Sequence, residues 1–232
     1  MSVVPEVWRQ PFPENEISFI LAGILRCMAA VKKKTAHERE NPITTRLWKR
    51  LRRDAELNVR PTQLDPEAWE LDEKDEDGKI GRLDLRFIYS TGTLKPWPCF
   101  GIEAKRLHVT FPRAGWNSLV HEYVTSHTSK PVEEEQGMMC FVSGRYSRGL
   151  RAGAMLGYVF DGEVEAARAS IADAIQTHAK KLRLVPSGRL ADSTILPGKS
   201  GISESLHDLA DEIALGDLFR ERFTIYHVLV PV

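Results

Sequence analysis

Much of what usually betrays a protein's trade is missing from this sequence. It has only three cysteines, Cys27, Cys99 and Cys140, far apart and without a CxxC pairing. That excludes a disulfide framework and a cysteine zinc site, and suits a reducing compartment. Surplus charge is absent too: Lys+Arg and Asp+Glu both number 32. A nucleic-acid binder of this composition must therefore gather its basic residues on one face. The longest apolar run, residues 17–30, is broken by Ser18, Gly23 and Arg26 and is too short and too polar to span a bilayer. The opening residues 1–10 supply neither the basic start nor the small-residue cleavage site of a secretory signal. A cytoplasmic protein with no membrane partner is the expectation. Gly149, Gly153 and Gly157 lack the Lys-Ser/Thr of a phosphate loop, so no ATP motor is expected in the chain itself. None of the seven histidines falls at ligand spacing, and His121-Glu122 lacks the second His of HExxH. His227, in an apolar strand, reads as a core histidine with its ring hydrogen-bonded. The Ser and Thr residues form no nucleophile elbow, and neither a helix-turn-helix nor a zinc finger is recognisable.

What remains is an ordinary globular balance, 42% hydrophobic and 28% charged over 232 residues, which suits one domain with one main core. The spacing predicts a helix from Glu14 to near Val31, closed by Lys32-Lys33-Lys34 at the negative end of its dipole. Residues 1–37 read as a helical appendage and 38–232 as the core. A second helix starts at Asn41-Pro42, with Ile43, Leu47 and Leu51 at helical spacing. From Trp69 the period becomes two. A short strand at Trp69 and Leu71, a turn over 72–78, a strand over 80–89 and another over 99–107 form an antiparallel hairpin or meander. Helices are predicted over 115–127, 132–142, 163–182 and, poorly patterned, 204–215. Strands are predicted over 154–160, near 193–196 and over 222–229. That order implies an α/β fold with a mixed central sheet flanked by helices and an N-terminal helical segment.

Two segments stand out, residues 81–87 (GRLDLRF) and 100–106 (FGIEAKR). If Leu83, Leu85 and Phe87 point one way, Arg82, Asp84 and Arg86 point the other. On the next strand Phe100, Ile102 and Ala104 pack inward, while Glu103 and Lys105 share the opposite face. Two carboxylates and an amine are thus expected on one face of neighbouring strands. A hard divalent cation such as Mg²⁺ asks a protein for such a carboxylate pair. The plain alternative is a solvated strand face carrying a Glu–Lys pair.

Asp84 followed by Glu103-Ala104-Lys105 resembles the D…(D/E)-x-K signature of the PD-(D/E)xK, restriction-endonuclease-like nuclease superfamily, with Leu83 where the motif's Pro stands. The resemblance covers 38 to the C-terminus. Its later part, residues 137–142, 144–146 and 153–159, is similar to uncharacterised bacterial members associated with restriction or phage defence. It implies a Mg²⁺-dependent endonuclease acting on DNA phosphodiesters, with Mn²⁺ able to substitute. By the same resemblance Asp84, Glu103 and the Ala104 carbonyl bind the metal, and Lys105 orients or helps deprotonate the attacking water and offsets charge at the phosphate. The superfamily often adds an acid from the preceding helix: Glu40 is preferred, with Glu38 and Glu16 as alternatives. A favourable charge near a helix N-terminus explains Glu40 about as well. Many members carry a polar residue on the helix after the Lys strand, a place Gln136 would fill, although a solvated face accounts for it slightly better.

The implied partners are DNA, a separate ATPase/helicase or other defence protein, and a second copy of the chain. Arg50 and Arg53, with Lys49 and Arg52 on the same helix, and Arg82, Arg106 and Arg113 around the strands are the residues expected to track a phosphate backbone. A solvated helix face is an equal reading of the first group. Trp116 and Tyr146 are expected to stack on bases. Residues 73–78 (EKDEDG) invite comparison with a calcium loop, but the Glu start, the Asp84 end and the following strand favour a hairpin turn.

Overall fold

The computed structural model describes residues 12–71, 79–90, 98–108, 119–125, 135–146, 150–208 and 222–232, with backbone alone for 67–71 and 79–82. The turn over 72–78, together with Arg113 and Trp116, lies outside the described residues, as does the side chain of Arg82.

In chain order the elements are α1 (Glu14–Met28), α2 (Glu40–Leu51), α3 (Ala55–Asn58), β1 (Thr62–Leu71), β2 (Lys79–Tyr89), β3 (Cys99–Leu107), α4 (Val120–Val124), α5 (Met138–Val142), β4 (Ala152–Val159), α6 (Val164–Thr177), β5 (Ala191–Asp192), β6 (Ile202–Asp208) and β7 (Arg222–Pro231). The seven strands form one mixed sheet in the order β1-β2-β3-β4-β7-β6-β5. Its first three strands are antiparallel, β3, β4 and β7 run parallel, and β6 and β5 return antiparallel. The chain is thus α/β, with helices on both faces of a mixed sheet, and among the described residues no helix is long and apolar enough to cross a membrane.

Each face of the sheet carries its own core. Helices α1 and α2 cover one face. Ile17, Ile20, Leu21 and Ile24 of α1, spaced i, i+3, i+4, i+7, are buried with Ile43, Leu47 and Leu51 of α2 against Leu85, Phe87, Phe100, Ile102 and Tyr158. The helix read from sequence as an appendage therefore lies in the same core as the sheet. Burying each such side chain contributes roughly 1.5–3 kcal/mol. Helices α4, α5 and α6 cover the other face, with Tyr123, Phe141, Ile171 and Ile175 packed on Met155, Val159, Phe223 and Ile225. Gly137 enters α5 with φ 56°, where a Cβ would lie 2.0 Å from the Tyr123 carbonyl oxygen. No other residue fits there.

Several expected elements shift. The strand at Trp69 extends back to Thr62, and α6 ends at Thr177 rather than 182. The strand near 193–196 is the two-residue β5 at Ala191–Asp192. Of the helices expected over 115–127 and 132–142, α4 and α5 are described, 135–137 is not helical, and 115–118, 126–127 and 132–134 lie outside the described residues.

The expectation over 204–215 fails in kind: 202–208 is a strand, not a helix. The inward positions of β6 are Ser203, Ser205 and His207, all at or below 2% exposure, so its period of two is written in polar residues. They are tolerated because a hydrogen-bonded chain satisfies them. His207 Nδ1 lies 2.8 Å from the Leu182 carbonyl, which can only accept, so that nitrogen donates and His207 Nε2 accepts from Ser205 Oγ at 2.8 Å. Ser205 Oγ then accepts from His227 Nε2 at 2.9 Å, and Tyr123 donates to His227 Nδ1 at 3.0 Å. Both rings are neutral in this chain. Burial pulls His207 down to about 4 and His227 down to about 3. His227 is thus the hydrogen-bonded core histidine that its sequence suggested.

Candidate active site

The site forms where β2 leaves β3. The two strands pair from Ile88/Cys99 to Leu85/Ile102, and the next step of that register would set Asp84 opposite Glu103. Instead, Asp84 Oδ2 accepts a 2.7 Å hydrogen bond from the Ala104 backbone N–H. A side-chain carboxylate has replaced the strand partner. The N–H and C=O of one residue leave an extended strand on the same edge, so the Ala104 carbonyl faces the Asp84 side as well.

The expected alternation holds on β3. Phe100, Ile102 and Ala104 belong to the α1/α2 core, and Lys105 Nζ lies 2.5 Å from Glu103 Oε1 on the other face. On β2 it breaks. Leu85 and Phe87 pack toward α2, whereas Leu83 packs in the opposite core, over Gly101, where a Cβ would lie 2.6 Å from its Cδ1. Leu83, Leu85 and Phe87 therefore do not point one way, as expected from strict alternation. The side changes at Asp84, the residue whose carboxylate turns into the β2/β3 seam. Asp84 and Glu103 meet around this seam and not across one flat face.

Electrostatics tie the group together. Burial, then the neighbouring Glu103 carboxylate, push Asp84 up to about 7, against the opposing pull of Lys105 and the Ala104 N–H. Burial alone would lower Lys105, but Glu103, through its charge and hydrogen bond, and then Asp84 and Glu40 outweigh it and hold the amine above its ordinary value. Lys105 is thus an ammonium throughout the physiological range. As an ammonium it can donate hydrogen bonds and offset negative charge.

Glu40, the first residue of α2, sits close enough to raise both Asp84 and Lys105, and its carboxylate pairs with Arg106 Nε at 3.0 Å. The other two acidic candidates are engaged elsewhere. Glu38 makes two 2.8 Å hydrogen bonds to Arg46, and Glu16 is buried in a two-point pair with Arg60. Gln136 precedes α5 and is not on it; its backbone N–H donates to the Thr125 carbonyl at 3.0 Å.

The basic and aromatic candidates separate in the same way. Arg106 belongs to the site through Glu40 and donates to the Glu38 carbonyl at 3.4 Å. Arg50 on α2 and Arg53 in the turn after it are exposed, and Arg50 lies within electrostatic reach of Cys27, on the α1 side. Tyr146 is 8% exposed and packs edge-on against Phe141 at 5.6 Å, so it offers no face to a base. A feature that sequence reasoning misses is a cleft of about 240 Å³ lined by Asn41, Thr44, Thr45, Trp48, Pro66 and Asp84, through which Asp84 is reached from the α2 side. Its trace in the sequence is a polar stripe at 41, 44, 45 and 48, next to the apolar stripe at 43, 47 and 51.

Among the described residues, no group of three or more His, Cys, Asp or Glu side chains converges on one point. The donor set nevertheless fits a hard cation. Two carboxylates and a carbonyl edge are oxygen donors, and burial, then the nearby Glu103 charge, raises Asp84, a direction that a bound cation would oppose. The chain matches no family model, no curated protein and no solved structure.

Proposed function

We propose that this chain is a Mg²⁺-dependent endonuclease of the restriction-endonuclease-like type, hydrolysing DNA phosphodiesters as the effector of a restriction or phage-defence system. The observation that carries the reading is the Asp84 carboxylate, held at the β2/β3 seam by the Ala104 N–H and pushed up to about 7 by burial and Glu103. Two acidic groups kept this close despite the electrostatic cost are common where a site awaits positive charge. Asp84, Glu103 and the Ala104 carbonyl are the groups that would hold Mg²⁺, with Glu40 near enough to tune them. A bound Mg²⁺ supplies Lewis-acid stabilisation of the charge that builds on phosphoryl oxygens.

The chain's own groups do the rest. Hydrolysis forms a bond from a water oxygen to phosphorus and breaks one P–O ester bond, while negative charge grows on the phosphoryl oxygens. Lys105, held as an ammonium beside Glu103, donates to an oxygen of the phosphate and offsets that charge. The attacking water gives its proton to solvent, and the leaving oxygen takes one from it. Glu103, at 2.5 Å, fixes the ammonium in place. The separate ATPase/helicase or second copy that would hold such an enzyme in check belongs to the same proposal.

The test is a cleavage assay with Mg²⁺ or Mn²⁺ on plasmid, linear and single-stranded DNA. Wild type should cleave, and Asp84→Ala and Lys105→Ala should each lose activity by about 10²-fold or more. A second reading, a catalytically weak DNA-binding or scaffold subunit, is favoured by the direct Glu103–Lys105 pair, which already satisfies one carboxylate. Calorimetric Mg²⁺ titration separates the two. Binding that disappears in Asp84→Ala supports the enzyme; no binding, with no cleavage, removes it.

A further inference from the structure

The cleft at Asp84 has a neighbour. A second cleft of about 370 Å³ is walled in part by the same helix, its lining including Trp48, Leu51, Arg52, Asn58, Gln63 and Phe87. Trp48 is the residue common to both. Positions 41, 44, 45, 48 and 52 fall on one stripe of α2 at helical spacing, so the helix forms one wall from Asn41 to Arg52, about 16 Å at 1.5 Å per residue. The opposite wall comes from the β1/β2 pair through Gln63, Leu64, Pro66, Leu85 and Phe87.

We propose that this groove is the track by which one unpaired nucleic-acid strand reaches Asp84, with Trp48 and Arg52 as its stacking platform. The inference rests on the nuclease reading for the chemistry at Asp84, but its own observations are separate. The Arg52 guanidinium lies over the Trp48 ring at 5.0 Å, a planar cation on an aromatic face of the sort that accepts a further base in the stack. Asn41, Thr45, Asn58 and Gln63 add polar groups, and Arg52 is the only charged side chain among the residues lining the second cleft.

The Trp48–Arg52 stack chooses between one strand and two: unpaired bases expose the faces it needs, whereas a duplex keeps them stacked inside. At ~3.4 Å per stacked nucleotide the wall spans about five. Arg50 and Arg53 are not part of this track. At 100° per residue Arg50 lies roughly 200° around α2 from Trp48, and Arg53 lies in the turn beyond the helix and lines neither cleft.

The experiment is fluorescence anisotropy in EDTA, where cleavage plays no part, with labelled dT12, rU12 and a twelve-base-pair hairpin duplex. The full chain should bind at least one of the single strands several-fold more tightly than the duplex, and the DNA and RNA arms identify which sugar it accepts. Trp48→Ala and Arg52→Ala should each weaken that binding about tenfold. Trp48→Phe, which keeps a ring and guards against misfolding, should lose only a few-fold. Lys180→Ala, an exposed cation just beyond α6 on the opposite face, should change nothing. Equal or tighter duplex binding, or full affinity in Arg52→Ala, overturns the proposal. Because no metal is present, that result leaves the cleavage test of the nuclease reading untouched.

Discussion

At the scale of single residues, Asp84 has an electrostatic cost that the fold tolerates. Its carboxyl is raised from an ordinary value near ~3.9 to about 7 in the folded chain. A raised acid favours the native state below its unfolded value and loses that contribution as pH climbs through the folded one. Asp84→Asn retains an oxygen to accept from the Ala104 N–H but carries no charge. In EDTA it should therefore match wild type near pH 4 and exceed it at pH 8 by on the order of 1–3 kcal/mol, discounted for partial exposure. Thermal unfolding at the two pH values checks this, and equal stability at pH 8 would show that the carboxylate is not strained. Gly137 gives a simpler expectation. Gly137→Ala drives a methyl toward the Tyr123 carbonyl, 2.0 Å from the new Cβ, and should cost at least ~2 kcal/mol in urea unfolding. A change under ~0.5 kcal/mol would mean that the loop before α5 adapts freely.

At the scale of elements, legibility follows the chemistry of the inward face. Helices α1 and α2 and strand β3 bury apolar residues at regular spacing, and β4 and β7 read as nearly continuous apolar runs, so all five are visible in the sequence. Strand β6 buries Ser203, Ser205 and His207, so hydrophobic patterning has nothing to detect. The trio Asp84, Glu103 and Lys105 is visible because β3 keeps strict alternation. The change of side at Asp84 is not, because it depends on how β2 separates from β3 and on Leu83 finding Gly101. The groove escapes notice since Trp48 and Arg52 resemble any helix surface until β1 and β2 face them.

The polar strand also sets a pH response. His207 and His227 are held neutral in the native state, whereas the unfolded chain takes up protons below ~6.5. A depressed base gives its full contribution above the unfolded value and loses it as pH falls toward the folded one. Measured in the Asp84→Asn background to remove the opposing titration, unfolding free energy should fall by about 1.4 kcal/mol per histidine per unit between pH 6.5 and 5. A flat profile there would contradict the buried neutral chain.

At the scale of the whole molecule, one strand joins two kinds of pairing. On one side β3 meets β2 in a hairpin closed by a short stretch of chain; on the other it meets β4 in parallel, after a crossover of more than forty residues between Leu107 and Ala152. Local pairings form readily, while distant ones wait for loop closure. The seam that presents Asp84 to Ala104 can be set by the hairpin, but the layer behind Glu103 and Lys105 arrives only with β4, β7 and the helices between them. A chain emerging from the ribosome therefore carries the trio in its sequence long before it has a buried pair of carboxylates. The same topology acts as a timer: the buried carboxylate pair is complete only once β4 and β7 have docked beside β3.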